Sequence, residues 1–191
     1  LGREVSALEE EFANYIETTF AIGVANGTDA IEISLRALEI GPGDEVITVS
    51  HTAVATVAAI EATGATAVLV DIEPLLYTLN SIQLSEVFTE RTKAVIAVHL
   101  YGQSADLDAI SSFCKINKLF LIEDVSQAHG AKYKGRRLGG IGHLGCFSCY
   151  PTKNLGAIGD AGIITTNNET LAKKIRMLRE YGWDNRISKI V

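Results

Sequence analysis

Proline, cysteine, basic surplus and long apolar runs are all scarce in this sequence, and each scarcity narrows what the chain can be. Three prolines in 191 residues leave no proline-rich linker or low-complexity tract. None of the apolar runs approaches the roughly 20 residues that a membrane-crossing helix needs, so no membrane partner is expected. The opening LGREVSALEE has no apolar stretch behind a basic segment, the pattern of a secretory signal. It also lacks an initiator methionine, and the closing RISKIV has no terminating feature, so a fragment is expected. The net charge is −6 with both signs interspersed, which argues against nucleic acid as a partner. Cys114, Cys146 and Cys149 are odd in number and not spaced for zinc. Cys146 and Cys149 form a CxxC, but two small apolar-like residues in a buried strand is its commoner meaning. A reducing cytoplasm suits this cysteine usage.

What is abundant is apolar material, 47% of residues, enough for one sizeable core. Helical periodicity is expected over 4–19, 28–39, 53–63, 106–117 and 168–181. Runs rich in Val and Ile predict strands at 45–50, 66–71, 93–100 and 119–125, with further strands at 145–149 and 160–166. Continuous apolar strands alternating with helices predict an α/β fold whose mostly parallel sheet is covered by helices on both faces. In such sheets ligands bind beyond the carboxyl ends of the strands. That rule selects the polar residues at strand ends: Ser50-His51-Thr52, Asp71, His99, Glu123-Asp124 and Ser148.

Four constellations could carry chemistry. Asn26-Gly27-Thr28-Asp29 precedes an amphipathic helix, where bare backbone amides and the helix dipole suit an anion; ordinary capping by Thr28 or Asp29 with Glu32 is the simpler alternative. Asp124 closes the strand in LFLIEDV, where burial demands a positive or hydrogen-bonding partner. That partner could be a protonated ring nitrogen of a cofactor, an arginine or a helix cap. Gly140, Gly142 and Gly145 match GxGxxG, but polar KYKGRRLG precedes them and a strand follows, the wrong context for a dinucleotide site. Lys153, in FSCYPTKNLGAIGDAG, sits in a turn flanked by Tyr150 and Leu155 rather than by charges. Desolvation favours the neutral amine of a lysine, the form that attacks a carbonyl. His99 and His129 are read as hydrogen-bonded core or loop residues, since no HxxxH or HExxH spacing supports a metal.

Taken in order, NGTDA, GDEVITVSHTAVATVAAI, TKAVIAVHLYGQSADLDAI, IEDVSQAHGAKYKGRRLG and FSCYPTKNLGAIGDAG resemble the DegT/DnrJ/EryC1/StrS family of sugar aminotransferases almost end to end. The resemblance implies the aspartate-aminotransferase-like fold (fold type I), pyridoxal 5'-phosphate as cofactor and a homodimer. It also implies transfer of an amino group from glutamate to a keto group on a nucleotide-linked deoxysugar. Residues 1–191 then correspond to the cofactor-binding large domain, with a carboxyl-terminal small domain beyond them. Lys153 matches the Schiff-base lysine, Asp124 the partner of the pyridine nitrogen, and Gln127 the residue near the phenolic oxygen. Gly27, Thr28 and Ser148 match the phosphate cup. Ala53 departs from the family, where an aromatic residue often stacks on the ring; either His51 supplies that face or Asp124, Lys153 and the phosphate cup hold the ring. A sugar dehydratase on the same fold typically replaces the lysine with histidine, so Lys153 favours transamination. A regulatory relative without turnover is the rival from another class; Lys153, Asp124 and Gln127 together argue against it. The basic run Lys132, Lys134, Arg136 and Arg137 could meet a nucleotide diphosphate, although a solvated hairpin edge is the commoner role of such a run.

Overall fold

The computed structural model describes residues 2–185 and 188–189. Its centre is a seven-stranded sheet in the order β1-β9-β8-β5-β4-β2-β3. The strands are β1 (Phe20–Val24), β2 (Glu45–Val49), β3 (Thr66–Val70), β4 (Thr92–Val98), β5 (Phe120–Asp124), β8 (Leu144–Ser148) and β9 (Gly162–Thr166). Two short strands, β6 (Lys132–Tyr133) and β7 (Arg136–Arg137), form a hairpin outside the sheet. From β3 to β8 all neighbours are parallel, whereas β9 runs antiparallel to both β8 and β1. The fold is α/β with a mostly parallel sheet, as the apolar strand runs predict.

The helices are α1 (Arg3–Ile16), α2 (Gly27–Ala37), α3 (Val54–Ala62), the short α4 (Leu84–Val87), α5 (Leu107–Asn117) and α6 (Glu169–Arg179). Polar caps start several of them: the side chains of Asn26, Asp106 and Asn168 accept N–H groups from the first turns of α2, α5 and α6. Such a cap stabilises a helix by about 1 kcal/mol. No helix among the described residues is long and apolar enough to cross a membrane.

Alternation along β8 shows how the layers lie. Cys146 contacts α2 through the Ser34 hydroxyl and the Ala30 carbonyl. The next residue, Phe147, meets Phe12 of α1 edge-on at 4.9 Å. Successive side chains of a strand point to opposite faces, so α1 and α2 cover opposite faces. Phe147, Ile22, Leu35, Ile47 and Ile96 are among the fully enclosed side chains of this core. Each contributes roughly 1.5–3 kcal/mol by burial.

Two features differ from the sequence-based expectation. The helix expected over 4–19 ends at Ile16, because Glu17 turns left-handed (φ 64°) and its N–H closes onto the carbonyls of Ala13 and Asn14. Residues 17–19 form a turn instead, and it leads into β1, an edge strand that periodicity did not announce. It is only five residues long, and its place comes from pairing with β9, more than 130 residues away. The basic run forms the β6–β7 hairpin with Lys132, Lys134 and Arg136 exposed, the commoner of its two expected roles. Three of its four cations also make contacts within the chain. Lys134 pairs with Asp108, Arg136 donates to the Gly140 carbonyl, and Arg137 donates to the Gly130 carbonyl while lying 4.0 Å above the Tyr15 ring.

Candidate functional site

A cavity of about 510 Å³ opens beyond the carboxyl ends of β2, β4, β5 and β8. Gly27, Thr28, Asp124, Gln127, Ser148 and Lys153 all line it, so the six residues matched to the family's cofactor site are brought to one place. Asn26, Thr52, Ala53, Thr56 and Asp160 complete much of the wall. Asp71 and His99, also at strand ends, are not among its lining residues.

Sheet register explains how distant segments meet here. Asp124 is opposite Cys146, so the two share a face, and Ser148 lies on that face two residues further on. The first turn of α2 is laid across this point. A Cβ on Gly27 would sit 2.5 Å from the Cβ of Ser148, so only a bare backbone fits the approach. The Asn26 side chain accepts the Asp29 N–H at 2.7 Å, and its carbonyl accepts the Ala30 N–H. The first two helical amides, those of Gly27 and Thr28, have no acceptor within the helix. Together with the Thr28 and Ser148 hydroxyls, they suit a dianionic group. The cap is Asn26 rather than the expected Thr28 or Asp29, because the helix already begins at Gly27; capping and anion binding are therefore compatible at this turn.

Asp124 is 5% exposed and anchored at both oxygens. Its Oδ2 accepts the Thr56 hydroxyl at 3.0 Å, and its Oδ1 accepts the Ser126 N–H at 3.1 Å. Thr56 is in turn 2.9 Å from the Thr52 hydroxyl. An ionised carboxylate can accept about four hydrogen bonds, so Asp124 keeps capacity for a donor in the cavity. Thr52 was among the strand-end candidates, whereas Thr56 was not foreseen; its i, i+4 spacing from Thr52 at the start of α3 was the available signal. Gln127 has its amide oxygen on the Tyr101 N–H at 3.3 Å, which leaves its NH2 as the free end. Lys153 is part-buried in a turn closed by its own N–H on the Tyr150 carbonyl.

The Ala53 position is answered by geometry. Ala53 lines the cavity and His51 does not. His51 is instead engaged with Tyr101, Nε2 to hydroxyl at 3.1 Å, so of the two alternatives the ring-face role for His51 is not met here. Tyr101 itself is left-handed, with φ 57°.

Behind the site the second carboxylate of the strand, Glu123, points away from the cavity. Its Oε2 accepts the Gly139 N–H at 2.8 Å and faces His99 Nε2 at 3.2 Å. Its Oε1 accepts the N–H groups of Ile141 and Gly142 at 2.8 and 2.7 Å. Burial pushes its pKa up, but the His99 interaction and the Gly139 and Gly142 amides outweigh it and leave Glu123 below the usual value. His99 Nδ1 accepts the Ala105 N–H, which places the ring proton on Nε2. The GxGxxG-like loop thus encloses a carboxylate of its own chain and leads into strand β8 rather than a helix.

His129 has both ring nitrogens buried without a partner at full hydrogen-bond geometry, and the Ser148 backbone is the polar group beside the ring. Burial, then the Lys153 charge, pull its pKa below 6.5. The three cysteines are free and buried. Burial raises the thiol of Cys114 to about 12 and also raises those of Cys146 and Cys149, which makes the CxxC chemically quiet. Among the described residues no group of three or more His, Cys, Asp or Glu side chains is placed to hold a metal.

Comparison with known proteins agrees with this geometry. The model of the DegT/DnrJ/EryC1/StrS aminotransferase family matches residues 1–190. The chain belongs to that family. It is 48% identical over 182 residues to dTDP-3-amino-3,4,6-trideoxy-alpha-D-glucose transaminase of Streptomyces venezuelae, covering 95% of this chain and 48% of that protein. DesV of S. venezuelae, solved in complex with a ketimine intermediate, superposes with a TM-score of 0.97 at 46% identity, over 100% of this chain and 52% of that one. NtdA of Bacillus subtilis, solved with bound cofactor PMP, gives 0.95 at 34% identity, over 100% and 43%. The chain therefore spans about half the length of the relatives it matches.

Proposed function

We propose that this chain is the cofactor-binding large domain of a transaminase that moves an amino group from glutamate to a keto group of a nucleotide-linked deoxysugar. The observation that carries the reading is the convergence of three unlike groups on one cavity: an amide-rich helix start, a buried carboxylate with accepting capacity to spare, and Lys153. This set fits pyridoxal 5'-phosphate, whose phosphate, ring nitrogen and aldehyde carbon require an anion site, an acid and an amine. When bound, that group supplies an electron-withdrawing ring and a carbonyl that condenses with amines.

The residues divide the work by position. Gly27, Thr28 and Ser148 bind the phosphate through amides and hydroxyls. Asp124, held by Thr56 and Ser126, keeps the ring nitrogen protonated. Gln127 donates its free NH2 towards the phenolic oxygen. Lys153 would hold the cofactor through Nζ, and the same amine is the group that would take and return a proton there. A homodimer is part of this reading. Val54 and Ile158 are 82% and 110% exposed in segments bordering the cavity, and apolar groups of that kind favour cover by another surface. The three free thiols suit the cytoplasm.

The test uses the intact protein with pyridoxal 5'-phosphate. Wild type should show a visible band that borohydride reduces into a covalent link, and Lys153→Ala should lose both link and transamination. A reducible link and turnover in Lys153→Ala would overturn the assignment. Asp124→Ala should lose turnover even where the cofactor stays bound; undiminished activity would remove Asp124 as the ring-nitrogen partner.

A further inference from the structure

We propose that Glu123 is a positioning residue, a buried anionic hub that sets the spacing between Asp124, Gln127 and Lys153. The role rests on the cofactor reading above, but the geometry that motivates it lies outside the cavity. Glu123 and His99 are both completely buried, and a carboxylate in such a place is costly unless its oxygens are fully engaged. Four donors engage them: the amides of Gly139, Ile141 and Gly142, and His99 Nε2–H. Because His99 Nδ1 accepts from Ala105, a neutral imidazole suffices. This satisfies the carboxylate without a compensating positive charge.

Each donor leads to a different part of the site. Through the 139–142 loop, Glu123 holds the entry to β8, whose register against β5 pairs Glu123 with Gly145 and Asp124 with Cys146. That register determines where Ser148, and then the Lys153 turn, emerge relative to Asp124. A slip of one residue would turn every β8 side chain to the other face. Through His99, Glu123 holds the start of the 99–105 segment. The His99 N–H donates to the Asp124 carbonyl, its ring accepts from Ala105, and the enclosed Tyr101 N–H orients Gln127. Asp124 is itself the next residue along the strand. Three of the groups assigned to the cofactor are therefore referred to one carboxylate that touches none of it.

Glu123→Gln tests this at nearly constant volume, because either orientation of the amide sets an NH2 against N–H donors. The intact protein is loaded with saturating pyridoxal 5'-phosphate, well below its melting temperature. The readouts are the pH midpoint of the visible band, cofactor retention on dialysis, and kcat separately from KM. The expected result is a folded protein with a displaced pH midpoint and retention about tenfold weaker, the scale for losing an outer partner that orients a binding side chain. A folded Glu123→Gln with wild-type midpoint, retention and kcat, differing only in a lower Tm, would show a purely structural staple and overturn the proposal. Should Glu123→Gln fail to fold, His99→Phe is measured in the same way. It keeps a ring in place and removes the donor; a displaced midpoint supports the role and an unchanged one overturns it. A wild type with no reducible band would remove the cofactor reading itself, an outcome distinct from either.

Discussion

The turn at Asn26–Thr28 and the loop at Gly139–Gly145 both use glycine to bring bare backbone amides together, yet the two are employed in opposite ways. The 139–142 amides close on Glu123, a carboxylate of the same chain. Their anion is built in, and the result is a rigid joint between β5 and β8. Gly27 and Thr28 instead line an open cavity, so the anion proposed for them would come from outside. The contrast extends to the two neighbouring acids of β5. Glu123 has four donors and no capacity for a ligand, whereas Asp124 has two and retains some. Glycine spacing alone is therefore a poor guide to a phosphate site; what decides is whether the fold already supplies a counter-anion.

The comparison breaks most readily at the glycines. A Cβ on Gly145 would overlap the Gly139 backbone and the Thr165 hydroxyl, with no flexible atom to yield except that hydroxyl. Gly145→Ala should therefore destabilise the fold by about 3 kcal/mol, the upper range of overpacking, seen as a large drop in denaturation midpoint. Gly27→Ala meets Ser148 beside the cavity and should weaken cofactor retention by tenfold or more, roughly 1.4 kcal/mol, with a smaller loss of stability. If the two substitutions produced the same balance of stability and retention, the distinction between a closed and an open anion turn would fail.

Thr56→Val comes next. Removing one hydrogen bond to a charged acceptor costs about 1.5–3 kcal/mol, and here the loss falls on Asp124. Cofactor affinity measured by absorbance titration should drop, and Thr56→Ser should restore it. Equal affinity in Thr56→Val would mean that the hydroxyl does not support the acid.

The smallest effects concern pH. The folded pKa of His129 lies below its ordinary 6.5, so at mildly acidic pH the unfolded chain binds more protons than the folded one. Stability must then decline as pH falls below about 6.5. His143, also lowered by burial despite its Leu121 hydrogen bond, acts in the same direction. Glu123, lowered from 4.5, contributes stability above that value which is lost at still lower pH. His129→Phe removes two nitrogens that have no partner at full hydrogen-bond geometry and should flatten the decline between pH 7 and 5 without lowering the Tm at pH 7. A curve parallel to wild type would show that His129 does not titrate in the folded protein as its surroundings imply.

Much of the fold was legible because the signals were local. Apolar runs located the central strands, and helical periodicity located several helix starts to within a residue or two. Gly27, Thr28, Asp124, Gln127, Ser148 and Lys153 could be named because their motif blocks resemble one family, and the fold gathers them in one cavity. By contrast, β1 was illegible because a five-residue edge strand depends on a distant partner. Thr56 was missed because its significance arises only when α3 packs beside the end of β5. The basic run at Lys132–Arg137 is the solvated hairpin edge that such a run most commonly forms, while its contacts to Asp108, Gly130, Gly140 and Tyr15 arise only once the chain closes.

By itself, then, the sequence determined the α/β class, the family and six of the residues facing the cavity, because strand periodicity and motif order are properties of the chain. Tertiary structure decided which glycine turn is open and which is closed, and which of two adjacent acids keeps an accepting lone pair. The physical reason is that hydrogen-bonding capacity is settled by all the donors that reach a group. For Glu123 and Asp124 those donors come from segments as far apart as Thr56 and Gly142.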